Sequence, residues 1–110
     1  MSIKGLTKTI SDSQGYEHSF HVVSLVAVEV KSSKVVVSLD AYKDETAYDN
    51  GKAHVLRRAF VFTGTDYDDI LDGPSVIDDC YAKIQLQDNH QGPFGAVEDW
   101  TADVKVINNA

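Results

Sequence analysis

The chain has 110 residues, 43% hydrophobic and 25% charged, which is enough apolar surface for one folded core and too much for a disordered chain. Seventeen acidic side chains against ten basic ones leave a net charge of −7, which repels phosphate backbones and anionic lipid, so nucleic acid and membrane are excluded as expected partners. A lone cysteine, Cys80, excludes an intrachain disulfide.

Taken in chain order, the opening "IKGLTKTI" alternates weakly and is expected to form an edge strand. Residues 16–31, "YEHSFHVVSLVAVEVK", alternate over a long run. Tyr16, Phe20, Val22, Val26, Val28 and Val30 share one face, with a bulge or bend expected near Ser24. "KSSK" (31–34) reads as a hairpin turn into a second alternating run, "VVVSLDAY" (35–42), which the short connection makes antiparallel to the first. After an acidic stretch, "HVLRRAFVFTG" gives a third strand, with Leu56, Arg58, Phe60 and Phe62 on one face. Beyond Gly64 the period changes. Val76, Ile77, Cys80, Tyr81 and Ile84 fall on one side of a helix, with Ser75 as N-cap and Asp78-Asp79 in the first turn, where the helix dipole favours acid. "DNHQGPFG" (88–95) stops the helix, and "TADVKVI" predicts a last strand through Ala102, Val104 and Val106. The fold class that follows is α+β: a mainly antiparallel sheet of four to five strands with one α-helix packed on a face, in a single domain spanning 1–110. Val22, Val26, Val37, Phe60, Ile77 and Ile84 are the expected core.

Site chemistry is sparse. Asp44, Glu45 and Asp49, followed by Asn50-Gly51, invite a calcium-loop reading. Their spacing lacks the alternating ligands, central glycine and final glutamate such a loop needs, and residues that tolerate positive φ point to a turn instead. Asp66, Asp68, Asp69 and Asp72 read as a solvated approach to the helix. His18 and His21 lie three apart in a strand, which places them on opposite faces and excludes a shared metal. Cys80 is on the apolar side of its helix, as a core residue would be. No nucleophile–base pair, phosphate-binding glycine loop or metal motif is present, so neither an enzyme nor a cofactor is expected. Phe94, Val97 and Trp100 border a loop containing Gly92, Pro93 and Gly95, and they are the expected protein-interface residues together with Tyr42 and Tyr48 beside the acidic stretch. The competing reading of Phe94 and Trp100 is a cap over the open end of the core.

Four segments together resemble a group of short proteins encoded among the structural genes of tailed bacteriophages and prophages. They are the aromatic-led "YEHSFHVVSLVAVEV", the acidic "LDAYKDETAYDNGK", the basic-aromatic "RRAFVF", and a tyrosine-containing helix followed by Phe94-Gly95-Ala96-Val97-Glu98-Asp99. The resemblance spans roughly residues 16–99. In two respects the chain departs from the group: Gly95 alone separates Phe94 from Ala96, and a further predicted strand follows Asp99. The resemblance implies a structural role in a virion or tail, with no catalytic residues to carry over. The partners expected on that basis are the chain itself, as a homo-oligomer, or other virion proteins. The alternative is a small acidic binding module that docks on or inhibits a host protein. "MSIKGLTKTISDSQG" has no apolar run of signal-peptide length and no stretch suits a membrane helix, so synthesis in a cytoplasm is expected, and the resemblance implies a host cell and incorporation into a virion.

Overall fold

A computed structural model describes residues 2–11, 15–88, 90–92 and 97–109. The three alternating runs form three neighbouring strands of a five-stranded antiparallel sheet, the third of them at its edge. In chain order its strands are β1 (Ile3–Ser11), β2 (Glu17–Glu29), β3 (Lys34–Tyr42), β4 (Leu56–Thr63) and, last, the strand at Lys105–Asn108. Three helices intervene: α1 (Glu45–Asp49), α2 (Thr65–Asp72) and α3 (Val76–Ile84). A two-stranded hairpin, β5 (His90–Gln91) with β6 (Val97–Glu98), precedes the final strand, β7. The sheet order is β4-β3-β2-β1-β7. The opening strand, expected at an edge, is therefore internal. The C-terminal strand pairs with it from Ile3↔Asn108 to Thr7↔Lys105 and takes the edge itself.

One face of the sheet holds the core. Val35, Val37 and Leu39 of β3 and Phe60 and Phe62 of β4 lie buried against Ile70 of α2 and Cys80, Tyr81 and Ile84 of α3, with Leu6 and Trp100 completing the cluster. The expected bulge in β2 is present: its register with β3 shifts between Val23 and Leu25. That shift exchanges the faces of every later residue, because side chains alternate with period two. Val23 opposite Leu39 and Val26 opposite Val37 therefore both pack on the core. Val22, expected in the core, pairs with Asp40 on the other face and is only half-buried, so the single-face reading of 16–31 is corrected.

Helix α3 begins where its N-cap predicts, with the Ser75 hydroxyl accepting a bond from the Asp78 N–H at 3.4 Å. Its buried residues are Cys80, Tyr81 and Ile84, while Ile77 is 51% exposed. Ile77 is thus not core. In the first turn it is Val76, one residue earlier, that packs against the core, so the helix turns Ile77 away from it. Val37, Phe60 and Ile84 are buried as expected.

Gly5 marks a close approach. A Cβ at this position would lie 2.7 Å from both the His21 carbonyl oxygen and the Phe20 ring. Only a residue without a side chain lets β2 and its aromatic ring pass so near β1.

Candidate interaction site

The acidic stretch that invited a cation reading is a one-turn helix. Asp44 is its N-cap, accepting from the Ala47 N–H at 2.8 Å. Asn50 ends it and Gly51 follows with φ +73, the left-handed geometry that glycine adopts without strain. Glu45 and Asp49 both hold the Lys4 ammonium, each at 2.7 Å. These carboxylates spend their charge tying α1 down onto β1. Beneath that helix Tyr48 packs on Phe20 and Tyr42, with ring centroids 5.4 and 5.0 Å apart. Tyr42 and Tyr48 are thus half-buried in an internal aromatic cluster.

The second acidic run is the helix α2 itself. Asp66 and Asp69 bracket Lys83 of α3 at 3.1 and 2.8 Å, which pins the two helices together. Among the described residues no group of three His, Cys, Asp or Glu side chains is arranged to hold a metal ion.

The chemistry with least sequence warning lies at the end of the core. Arg58, on the otherwise apolar face of β4, is 3% exposed and forms a two-pronged ion pair with Glu98 of β6. Its Nε and Nη2 each lie 2.7 Å from one carboxylate oxygen. Arg58 Nη2 also donates to His18 Nε2 at 3.0 Å, which requires that ring nitrogen to be unprotonated. The rings of His18 and His21 are only 5.6 Å apart. The expected separation of these histidines onto opposite faces is corrected here. His18 lies beyond Phe20↔Tyr42, the last pair of β2 with β3, so alternation along the paired run does not fix the side its ring takes. His21 Nε2 donates to the Lys8 carbonyl at 2.8 Å, so its bare nitrogen is Nδ1. Burial drives the His21 pKa down to about 4, against the Lys8 bond, which raises it, and with smaller help from the Arg58 charge, which lowers it. Burial likewise lowers His90, whose ring stacks on Phe60 at 4.0 Å. Burial pushes Glu98 up, but the Arg58 guanidinium, the Trp100 N–H and His90 together hold the carboxyl below the usual glutamate range. Beside this cluster opens a cleft of about 530 Å³ lined by Tyr16, Glu17, His18, Lys43, Val55 and Leu56.

Trp100 belongs to the same assembly of side chains. It is fully buried, packed edge-on to His21 at 4.9 Å and Phe60 at 5.9 Å, with Arg58 5.7 Å from its ring. The expected role of Trp100 as an interface anchor is therefore overturned. Its area is already spent inside the chain, as the competing cap reading has it. Val97 is 67% exposed and remains available to a partner. Phe94 lies outside the described residues.

The surface best suited to a partner is instead the second face of the sheet. Across β2, β3 and β4 the register aligns Leu25, Ser38 and Ala59 in one row and Ala27, Val36 and Val61 in the next. Helices α2 and α3 cover the opposite face, and α1 sits over Phe20 and Tyr42 at one end. Leu25 is left 54% exposed and Val61 58%. Salt-linked polar rows frame this apolar patch: Asp40 with Arg57 on one side (2.6 Å) and Glu29 with Lys34 on the other (3.7 Å). Sequence reading missed these residues. The signal was apolar character on both faces of 35–42 and 55–63, which exceeds what a single covering layer can bury.

Comparison with known proteins adds no relative: no protein-family model, curated protein or solved structure matches the chain.

Proposed function

We propose that the chain is a non-enzymatic structural protein of a bacteriophage virion or tail, acting through protein–protein assembly. The observation that carries this reading is the apolar patch of Leu25, Ala27, Val36, Ala59 and Val61, framed by ion pairs and left open on the sheet. An apolar surface rimmed by polar groups is what a docking face requires. The resemblance of residues 16–99 to phage structural-region proteins supplies the biological setting. Among the described residues the buried cluster of Arg58, Glu98, His18 and His21 is turned inward, with Arg58 bonded to Glu98 and His18, and His21 bonded to the Lys8 carbonyl, which suits anchoring rather than turnover.

The test is incorporation into particles. A tagged chain, expressed during lytic growth of the phage or prophage that encodes it, should co-purify with intact particles. Leu25→Lys should reduce incorporation by at least about tenfold, a modest loss for a residue at the centre of a docking patch. Its own melting temperature should be unchanged. Particles that lack the chain, or that take up the Leu25→Lys variant fully, overturn the proposal.

The cleft beside His18 favours a second reading, a small acidic module that receives an apolar side chain of a host protein between Tyr16, Val55 and Leu56. Leu56→Glu would weaken that contact and leave particle incorporation intact.

A further inference from the structure

We infer that the chain pairs with a second copy of itself through the free edge of β4, antiparallel and centred near Phe60, joining two five-stranded sheets into one of ten. This rests on the assembly reading above and names its first partner.

The two edges of the sheet are built differently. The β7 edge is four residues long and carries Lys105, and both features discourage pairing. The β4 edge runs eight residues, "LRRAFVFT", without lysine, proline, glycine or bulge, and keeps one-to-one register with β3 from Lys34↔Thr63 to Ala41↔Leu56. Among the described residues β4 pairs only with β3. A long, regular strand with these properties is a template for another strand.

The distribution of charge selects the occupant and its direction. The exposed arginine of β4, Arg57, lies at its N-terminal end, while Arg58 is sealed inside with Glu98, and the acidic first turn of α2, Asp66 and Asp68, follows its C-terminal end. A parallel copy would set Arg57 against Arg57. An antiparallel copy brings each arginine end to the other chain's acidic end, and every contact is made twice, as a two-fold interface demands. Centred on Phe60, that register sets Val61 opposite Ala59 and Arg57 opposite Thr63. The apolar patches of the two chains then become one continuous surface running through the joined β4 strands. Pairing therefore enlarges the docking face of the assembly reading without covering it.

Light scattering coupled to size exclusion, over a dilution series of the full chain, should return twice the mass of one chain. Ala59→Lys with Val61→Lys places lysines opposite one another across the two-fold and should raise the dimer dissociation constant at least about tenfold. Leu25→Lys, two strands inward, should leave the mass doubled, and circular dichroism and melting should show both variants folded. Direction is read separately: mixed Ala59→Cys and Val61→Cys chains should cross-link to each other in preference to themselves. A wild-type chain that is monomeric at every concentration overturns the inference. So does a lysine pair that stays dimeric, or cysteine chains that couple only like to like. Particle incorporation that survives any of these outcomes leaves the assembly reading standing without this interface.

Discussion

Arg58 and Glu98, forty residues apart in the chain, close a two-pronged ion pair inside the protein, with Arg58 Nε and Nη2 each 2.7 Å from a carboxylate oxygen. The pair fastens the β5–β6 hairpin onto β4, the same strand that, among the described residues, pairs along one edge only and exposes Ala59 and Val61 on its outer face. Removing one partner strands a charge that water cannot reach. Glu98→Ala should cost on the order of 3–5 kcal/mol, whereas Arg58→Met with Glu98→Leu should recover most of that loss. Urea midpoints for the single and double variants check this. A Glu98→Ala chain as stable as the parent would show that the pair contributes nothing to holding the hairpin.

The histidines beside that pair make stability depend on pH in one direction. The folded pKa of His21 is about 4 against an ordinary value of 6.5, so between those limits the unfolded chain binds more protons than the folded one. Stability from His21 is thus fully present above pH 6.5 and is lost as pH falls toward 4, with a total on the order of 3 kcal/mol. The lowered pKa of His90 acts in the same sense. Glu98, also lowered, contributes stability above the ordinary glutamate value that disappears as its carboxylate is protonated at still lower pH. Denaturant midpoints measured from pH 7.5 to pH 4 should therefore fall steadily. His21→Gln should flatten the part between pH 6.5 and 4; an unchanged slope in that variant would remove His21 as the source.

Much of this architecture is legible in the residues, and the parts that are not fail for identifiable reasons. The β3 and β4 strands are readable because Val35, Val37 and Leu39, and likewise Phe60 and Phe62, alternate without interruption. Local chemistry also places the cap at Ser75, whereas the stretch after Asp44, read as a turn, is a one-turn helix with Asp44 as its cap. The two faces of β2 are not readable, since a bulge near Ser24 can be anticipated but the side that each residue takes afterwards depends on its register with β3. Ile77 misleads because two neighbouring apolar residues, Val76 and Ile77, open the helix, and periodicity alone does not say which of them meets the sheet. The Arg58–Glu98 pair has only one local sign, a cation in line with Leu56, Phe60 and Phe62. Such a residue demands a buried partner, and nothing in the sequence says that the partner is Glu98. Trp100 misleads for a related reason: a tryptophan near glycine and proline suits an interface anchor and a core plug equally, and only the hairpin's position over Phe60 and His21 decides.

Gly5 offers a test of how tightly the first two strands are packed. A methyl group there would meet the His21 carbonyl and the Phe20 ring at 2.7 Å, and neither the carbonyl nor the ring wedged against Tyr48 can withdraw cheaply. Gly5→Ala should destabilise by about 1–3 kcal/mol, although alanine suits a strand better than glycine does. Thermal melts of the two proteins decide the point, and a variant as stable as the parent would mean that β1 shifts freely.

The sharpest test of the core assignment compares three apolar residues. Phe60 lies in the contact between sheet, Trp100 and His90, and Phe60→Ala should cost on the order of 3–5 kcal/mol. Trp100→Ala should cost a similar amount, because its ring is enclosed by His21, Phe60 and Arg58 and its removal leaves a cavity that the hairpin cannot fill. Ile77 is more than half exposed, so Ile77→Ala should stay within about 1 kcal/mol of the parent. Denaturant midpoints rank the three. Oligomer mass separates packing from association: Trp100→Ala should melt early and yet, while folded at low temperature, assemble as the parent does. If Trp100→Ala instead melts normally and loses assembly, the tryptophan is an interface residue and its buried position in the core cluster is wrong.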